Sequence, residues 1–144
     1  MATRLAFLAE KYNLLYKGQM GGRKQRNAID AVMCLAHDID VGKKEKKVVS
    51  ALLLDVKGAF DNVSSTRLRQ TLATMALPGA VLNWVKHFLS HRTTALAFDG
   101  EREELQPMQT GIPQGSPISP ILFLLYLKPL FDELECKYPS INCP

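Results

Sequence analysis

The sequence predicts an α+β fold, and three observations carry that reading. Five stretches repeat apolar residues at helical intervals, one eight-residue apolar run has the length of a buried strand, and one β-favouring stretch is divided by a turn dipeptide. No internal repeat or linker separates them, and 144 residues suffice for one modest domain with its own core. A 47% hydrophobic and 22% charged composition places the chain among folded rather than disordered proteins.

In RLAFLAEKYNLL, Leu5, Leu8, Tyr12 and Leu15 share one face, which predicts a helix over residues 3–15. The Gly-rich basic loop KGQMGGRKQR follows. A second helix is expected over 27–40, with Ile29, Val32, Met33, Ala36 and Ile39 aligned, and VGKKEKK at 41–47 reads as a charged connector. Residues 48–55 form the continuous apolar run, read as a strand that ends on Asp55. Ser64 or Ser65 caps the next helix, along which Leu68, Leu72 and Met75 align. Pro78–Gly79 breaks it, and a helix over about 80–90 turns Val81, Trp84, Val85 and Phe88 inward. TTALAFDGEREELQPM reads as a hairpin about Asp99–Gly100. After the Gly/Pro loop QTGIPQGSPISP, a long helix over about 119–136 tolerates Pro120 in its first turn and is bent at Pro129.

The net charge of +4 is uneven. Residues 1–92 hold 15 Lys/Arg against 7 Asp/Glu, or +8, and residues 93–144 hold 3 against 7, or −4. Charge alone leaves a polyanionic partner and simple solubility as equal readings. Cys34, Cys136 and Cys143 show neither zinc-ligand spacing nor an even disulfide set, which points to a reduced intracellular compartment, cytoplasm or nucleus. The apolar run ILFLLYL at 121–127 is too short to span a bilayer, so no membrane role is expected.

Asp55 carries the chemical question, because a buried strand has no use for a carboxylate unless it ends there. Four readings compete. A strand-end Asp can simply cap a turn. A nucleotide hydrolase also places an acid after an apolar strand, but no GxxxxGK[ST] phosphate cradle is present. A phosphoryl-transfer aspartate paired with an acid two residues on fails because Lys57 stands there. In the fourth reading, polymerase chemistry, the acid helps hold two Mg²⁺ ions about 3.5–4 Å apart. The N–H groups of Gly58 and Ala59 would then face a triphosphate, and Phe60 would lie under the sugar, leaving no room for a 2′-hydroxyl. For GIPQGSPISP, the plain alternative is a Gly/Pro turn with Ser119 capping a helix.

LLLDVKGAFDNV together with TGIPQGSPISPILFLLYL resembles the reverse transcriptases of non-LTR, LINE-like retrotransposons, especially those of fungal type. YNLLYKGQMGGRKQRNAIDAV resembles the family's stretch between fingertip and palm, so the likeness runs from about residue 3 to residue 135. The resemblance implies part of a right-hand polymerase fold, a fingers/palm fragment with a small antiparallel sheet packed on helices. Residues 1–144 would be a partial reverse transcriptase domain, with 1–47 the fingers-side helices and basic loop and 48–144 a partial palm. It implies Asp55 as the first catalytic aspartate, with the Val56 carbonyl as a second metal ligand, and Mg²⁺ or Mn²⁺ as cofactor. Gly58, Ala59, Phe60, Gln114 and Gly115 become the nucleotide-binding residues, Phe60 as steric gate. Arg23, Lys24 and Arg26 become template-backbone contacts, although a solvated basic loop reads equally well. Asp61 has no metal role in the pattern and is expected to brace the turn. The partners implied are an RNA template, a DNA primer and a deoxynucleoside triphosphate.

The departures shape a further expectation. The family's second catalytic acids lie in an aromatic-Ala-Asp-Asp hairpin expected where this chain reaches KYPSINCP, and no Asp-Asp pair occurs in it. The Arg-Pro-Ile segment that grips the triphosphate, the primer grip and the thumb are not found, and Met20 replaces a usual aromatic. The chain is therefore expected to be inactive alone, with a non-catalytic nucleic-acid-binding remnant or pseudogene product as the alternative. Strand 48–55 would lack its hairpin partner, so self-association through an exposed sheet edge is expected.

Overall fold

The structure, a computed structural model, describes residues 1–138. Cys143 and the stretch 139–144, where the resemblance expects the second hairpin to start, lie outside the described residues. The fold is α+β. In chain order it comprises α1 (Ala2–Lys11), α2 (Ala28–Lys44), α3 (Ser65–Thr74), α4 (Gly79–Leu89), β1 (Thr93–Thr94), β2 (Ala97–Phe98), β3 (Glu101–Arg102), β4 (Gln106–Pro107) and α5 (Ser119–Lys137).

The core is helical. Leu68 and Leu72 of α3 pack with Val81 and Val85 of α4 and with Leu122 and Leu125 of α5, while Leu5 and Ala9 of α1 are buried in the same cluster. Each of these Leu and Val side chains removed from water stabilises the fold by about 1.5–3 kcal/mol, and the α3 and α4 residues concerned recur at i and i+4, so the predicted faces are the buried ones. Trp84 and Phe88 are half-buried and stack on each other with centroids 5.0 Å apart. Ser64 caps α3 as expected, its hydroxyl accepting from the Arg67 N–H.

Helix ends follow local chemistry. α1 stops at Lys11 rather than at 15 because Asn13 adopts a φ of 51°, which lets the Leu14 N–H reach the Ala9 carbonyl and the Asn13 N–H the Glu10 carbonyl. α2 begins on a reciprocal Asn27–Asp30 capping box and runs through the expected connector to Lys44. Lys46, at φ 56°, closes it with the same pair of bonds, Lys47 N–H to Gly42 and Lys46 N–H to Lys43. The apolar face predicted on α2 forms but does not enter the core, since Ile29, Val32 and Met33 are all exposed.

Two expectations are corrected. Residues 48–55 form no strand, and Leu52, Leu53 and Leu54 are exposed. A strand exists only through ladder bonds to a neighbour, and among the described residues both ladders lie elsewhere. The sheet edge invoked for self-association is therefore absent, although the exposed apolar segment is present. The hairpin about Asp99–Gly100 does form, as β2 paired with β3 in the register Ala97↔Arg102 and β1 with β4 in the register Thr93↔Pro107. Every strand residue is exposed, so it projects from the helices instead of packing on them. Its short ladders, with Thr93, Thr94, Glu101, Arg102 and Gln106, offer no continuous apolar face to bury.

Candidate functional site

The turn after Asp55 is locally determined. Gly58 takes φ 60°, the Asn62 N–H bonds the Gly58 carbonyl at 2.9 Å, and Asn62 Nδ2 donates to the Lys57 carbonyl at 3.0 Å. The positive φ is what glycine supplies here, and a Cβ would stand 2.7 Å from Asn62 Nδ2, displacing the side chain that donates to the Lys57 carbonyl.

This turn docks on the loop that precedes α5. The Ile112 N–H bonds the Phe60 carbonyl at 2.9 Å, the Gly111 N–H bonds the Val63 carbonyl at 2.8 Å, and Ser64 and Thr110 form an antiparallel bridge. Gln114 Nε2 donates to the Asp61 carboxylate, 3.2 and 3.3 Å from its two oxygens and 53 residues away in sequence. The Phe60 ring meets the Phe123 ring of α5 edge to face, with centroids 5.4 Å apart and planes at 89°. Ser119 does not cap α5. It is fully buried in the first turn and its hydroxyl donates to the Pro113 carbonyl at 2.5 Å.

Phe60, Gln114 and the backbone of Gly58 and Ala59 thus belong to one docked unit, with Gly115 beside Gln114 at φ 79°. Asp55 and Val56 do not join it through any hydrogen bond or ion pair; both are exposed in the irregular segment before the turn. Among the described residues no three His, Cys, Asp or Glu side chains gather as a metal site.

The basic loop is largely self-satisfied. Arg23 clamps Glu10, Nε to Oε1 at 2.8 Å and Nη2 to Oε2 at 2.6 Å, donates to the Tyr16 carbonyl at 3.0 Å, and leaves 11% of its side chain exposed. These bonds hold the Glu10 carboxyl below its usual value against the opposing effect of partial burial. Arg26 donates to the Lys17 and Gln19 carbonyls. Lys24 is exposed and has no polar partner among the described residues.

Three residues whose part in this contact the sequence does not announce hold the unit together. Arg92 donates to the Gly111 carbonyl at 2.5 Å and reaches Met108 Sδ at 3.3 Å, tying the base of the hairpin to the loop. Ser65 donates to the Gln109 carbonyl at 3.2 Å. Gly111 is buried at φ 81°, where a Cβ would press on the backbone of Phe60 and Asp61. Their partners lie tens of residues away, and no local spacing announces them.

A turn bearing an aromatic residue, docked on a PQG loop in an α+β fold, is thus found in a chain whose residues 1–143 match the model of the family described as reverse transcriptase (RNA-dependent DNA polymerase). The chain belongs to that family. It is 28% identical over 141 residues to a Pol polyprotein from a type-1 R2 retrotransposable element of Popillia japonica, covering 97% of this chain and 19% of the relative. It is 26% identical over 126 residues to a probable RNA-directed DNA polymerase from the X-element of Drosophila melanogaster, covering 88% of this chain and 14% of the relative. Over 85 residues it is 37% identical to a type-2 R2 Pol polyprotein of Drosophila melanogaster, covering 58% and 8%. Its relatives are polymerases of non-LTR retrotransposons, and the chain spans less than a fifth of their length. No solved structure matches the chain. No helix of the described residues is long and apolar enough to cross a membrane.

Proposed function

We propose that these residues are the part of a retrotransposon RNA-directed DNA polymerase that receives the incoming deoxynucleotide and contributes one carboxylate to its metal site. The observation that carries this reading is the docking of the 57–62 turn on the 109–116 loop, which sets Phe60 and Gln114 in one unit from distant parts of the sequence. In a right-hand polymerase, residues 1–47 would lie on the fingers side and 48–144 in the palm. Asp55 lies two residues before the turn, so its backbone stays within about 7 Å of Lys57.

The Asp55 carboxylate and the Val56 carbonyl are hard oxygen donors of the kind Mg²⁺ or Mn²⁺ takes, with phosphate oxygens and water filling other positions. Asp55 and Val56 would help hold such an ion, which would supply activation of the primer 3′-hydroxyl and charge stabilisation of the leaving pyrophosphate. The chain's own residues orient the substrate: the turn amides of Gly58 and Ala59 toward the phosphates, Phe60 toward the sugar, and Gln114 and Gly115 toward the base pair. RNA template and DNA primer are the partners, with Lys24 free to meet a phosphate.

One carboxylate is a weak clamp for two divalent ions, so these 144 residues alone are expected to bind nucleic acid without extending it. The test is a chimera in which residues 1–143 replace the matched segment of the Popillia japonica R2 protein. RNA-templated DNA synthesis should fall by on the order of 10²–10³ or more with Asp55→Ala. A chimera equally active with and without that carboxylate contradicts the proposal, and so does primer extension by the isolated chain.

A further inference from the structure

The helical hairpin α3–α4 carries a charge pattern that the turn and loop do not use. Between Asp61 and Asp99 the sequence has no Asp or Glu, yet it holds Arg67, Arg69, Lys86 and Arg92. Some basic side chains elsewhere are paired with acids, as in Arg23–Glu10, Lys47–Glu45 and Lys128–Asp132, but this hairpin contains no acid to pair with. Arg69 and Lys86 have no ion-pair partner among the described residues.

These two cations flank a solvent-open groove of about 390 Å³ between the helices. Thr66, Arg69 and Gln70 line it from α3 at i, i+3 and i+4, and Asn83 and Lys86 from α4, all five exposed. The groove shares no lining residue with the turn and loop at 57–62 and 109–116. It therefore offers two basic side chains and three uncharged hydrogen-bonding ones, which is the equipment of a phosphate-backbone contact. The aliphatic Ala73 and Leu82 also line it, a surface for a sugar or base face that a simple anion would not need.

We propose that the α3–α4 groove binds the backbone of a single-stranded nucleic acid, through Arg69 and Lys86 to phosphates and through Thr66, Gln70 and Asn83 to phosphate or sugar oxygens. The choice of nucleic acid over another polyanion rests on the polymerase reading; the presence of an anion site does not.

The test is fluorescence anisotropy of a labelled oligouridylate with the full chain across a salt series. Arg69→Glu/Lys86→Glu and the control Lys43→Glu/Lys44→Glu on α2 change net charge by the same −4, and circular dichroism checks that both keep their helix content. The groove pair is expected to weaken binding at least tenfold and to flatten the logarithmic salt slope by about 1.4, two contacts at about 0.7 each on a single strand. The control should lose less than threefold, and Arg69→Lys/Lys86→Arg should bind like the parent. Equal losses in both charge-reversal pairs would overturn the proposal by reducing the effect to net charge. Inorganic polyphosphate bound as tightly as RNA and equally weakened by the groove pair would overturn the nucleic-acid assignment. A parent chain that binds no RNA also overturns it. None of these outcomes touches the Asp55 dependence of the chimera, on which the polymerase reading stands.

Discussion

Substituting Gly111 by alanine tests whether the docked turn and loop are one structural unit. Gly111 is buried at φ 81°, and an added Cβ would lie 3.0 Å from the Asp61 carbonyl oxygen, 3.2 Å from Asp61 Cα and 3.3 Å from the Phe60 carbonyl oxygen. All three are backbone atoms, so relief requires the turn to move away. That movement lengthens the Gly111–Val63 and Ile112–Phe60 hydrogen bonds, each worth about 0.5–1.5 kcal/mol. Gly100 is the internal control, at φ 85° with nothing within 4 Å of an added Cβ. Both substitutions carry the strain of a left-handed alanine, roughly 1–2 kcal/mol, and the same opposing gain from a stiffer unfolded chain. Subtracting one from the other leaves the docking contribution, about 2 kcal/mol. Urea unfolding followed by circular dichroism, compared at a common m-value, measures it. Gly111→Ala and Gly100→Ala destabilising equally, within about 0.5 kcal/mol, would mean that the loop does not hold the turn in place.

Leu72→Ala, in the fully buried contact of α3 with its neighbours, should cost about 2–5 kcal/mol by chemical denaturation, and a cost below about 1 kcal/mol would contradict the packing described. Because Arg23 lowers the Glu10 carboxyl, the ion pair stabilises the fold above the unfolded value of 4.5 and loses that contribution as pH falls through the lowered folded value. The stability gap between the parent and Glu10→Gln should thus hold near neutral pH, at about 1 kcal/mol or less for a carboxylate this solvated, and close under acid; a gap that widens on acidification would be inconsistent. Leu52, Leu53 and Leu54 are 83%, 86% and 82% exposed, so Leu52→Lys/Leu54→Lys should lower the apparent mass in light scattering, and an unchanged mass would remove this segment as a route to self-association.

What was legible in the sequence was what local periodicity and capping determine. The faces of α3 and α4 follow from Leu68, Leu72, Val81 and Val85 at helical intervals, and the Ser64 cap from its side chain. The run at 48–55 shows the limit: its composition suits a strand, but a strand depends on a partner, and periodicity says nothing about where that partner lies. The same holds for α2, whose apolar stripe was readable while its exposure was not. At the candidate site the motifs single out Phe60 and Gln114, which the fold brings into one docked unit, and the sequence expects Asp61 to brace the turn. That it does so by accepting from Gln114 is a tertiary fact. The basic loop shows the same dependence on distant partners. Arg23 reads as a free cation until folding brings Glu10 of α1 against it.

The Phe60 ring, anchored on Phe123 and half-buried beside the Gln114 loop, is where the nucleotide-site assignment is tested most directly. In the R2 chimera, incorporation of ribonucleotide relative to deoxynucleotide is measured for the parent and for Phe60→Ala. Removing the ring should raise relative ribonucleotide use while deoxynucleotide incorporation continues. An unchanged ratio would show that the docked turn does not face the sugar, and would contradict the assignment of this unit as the nucleotide site.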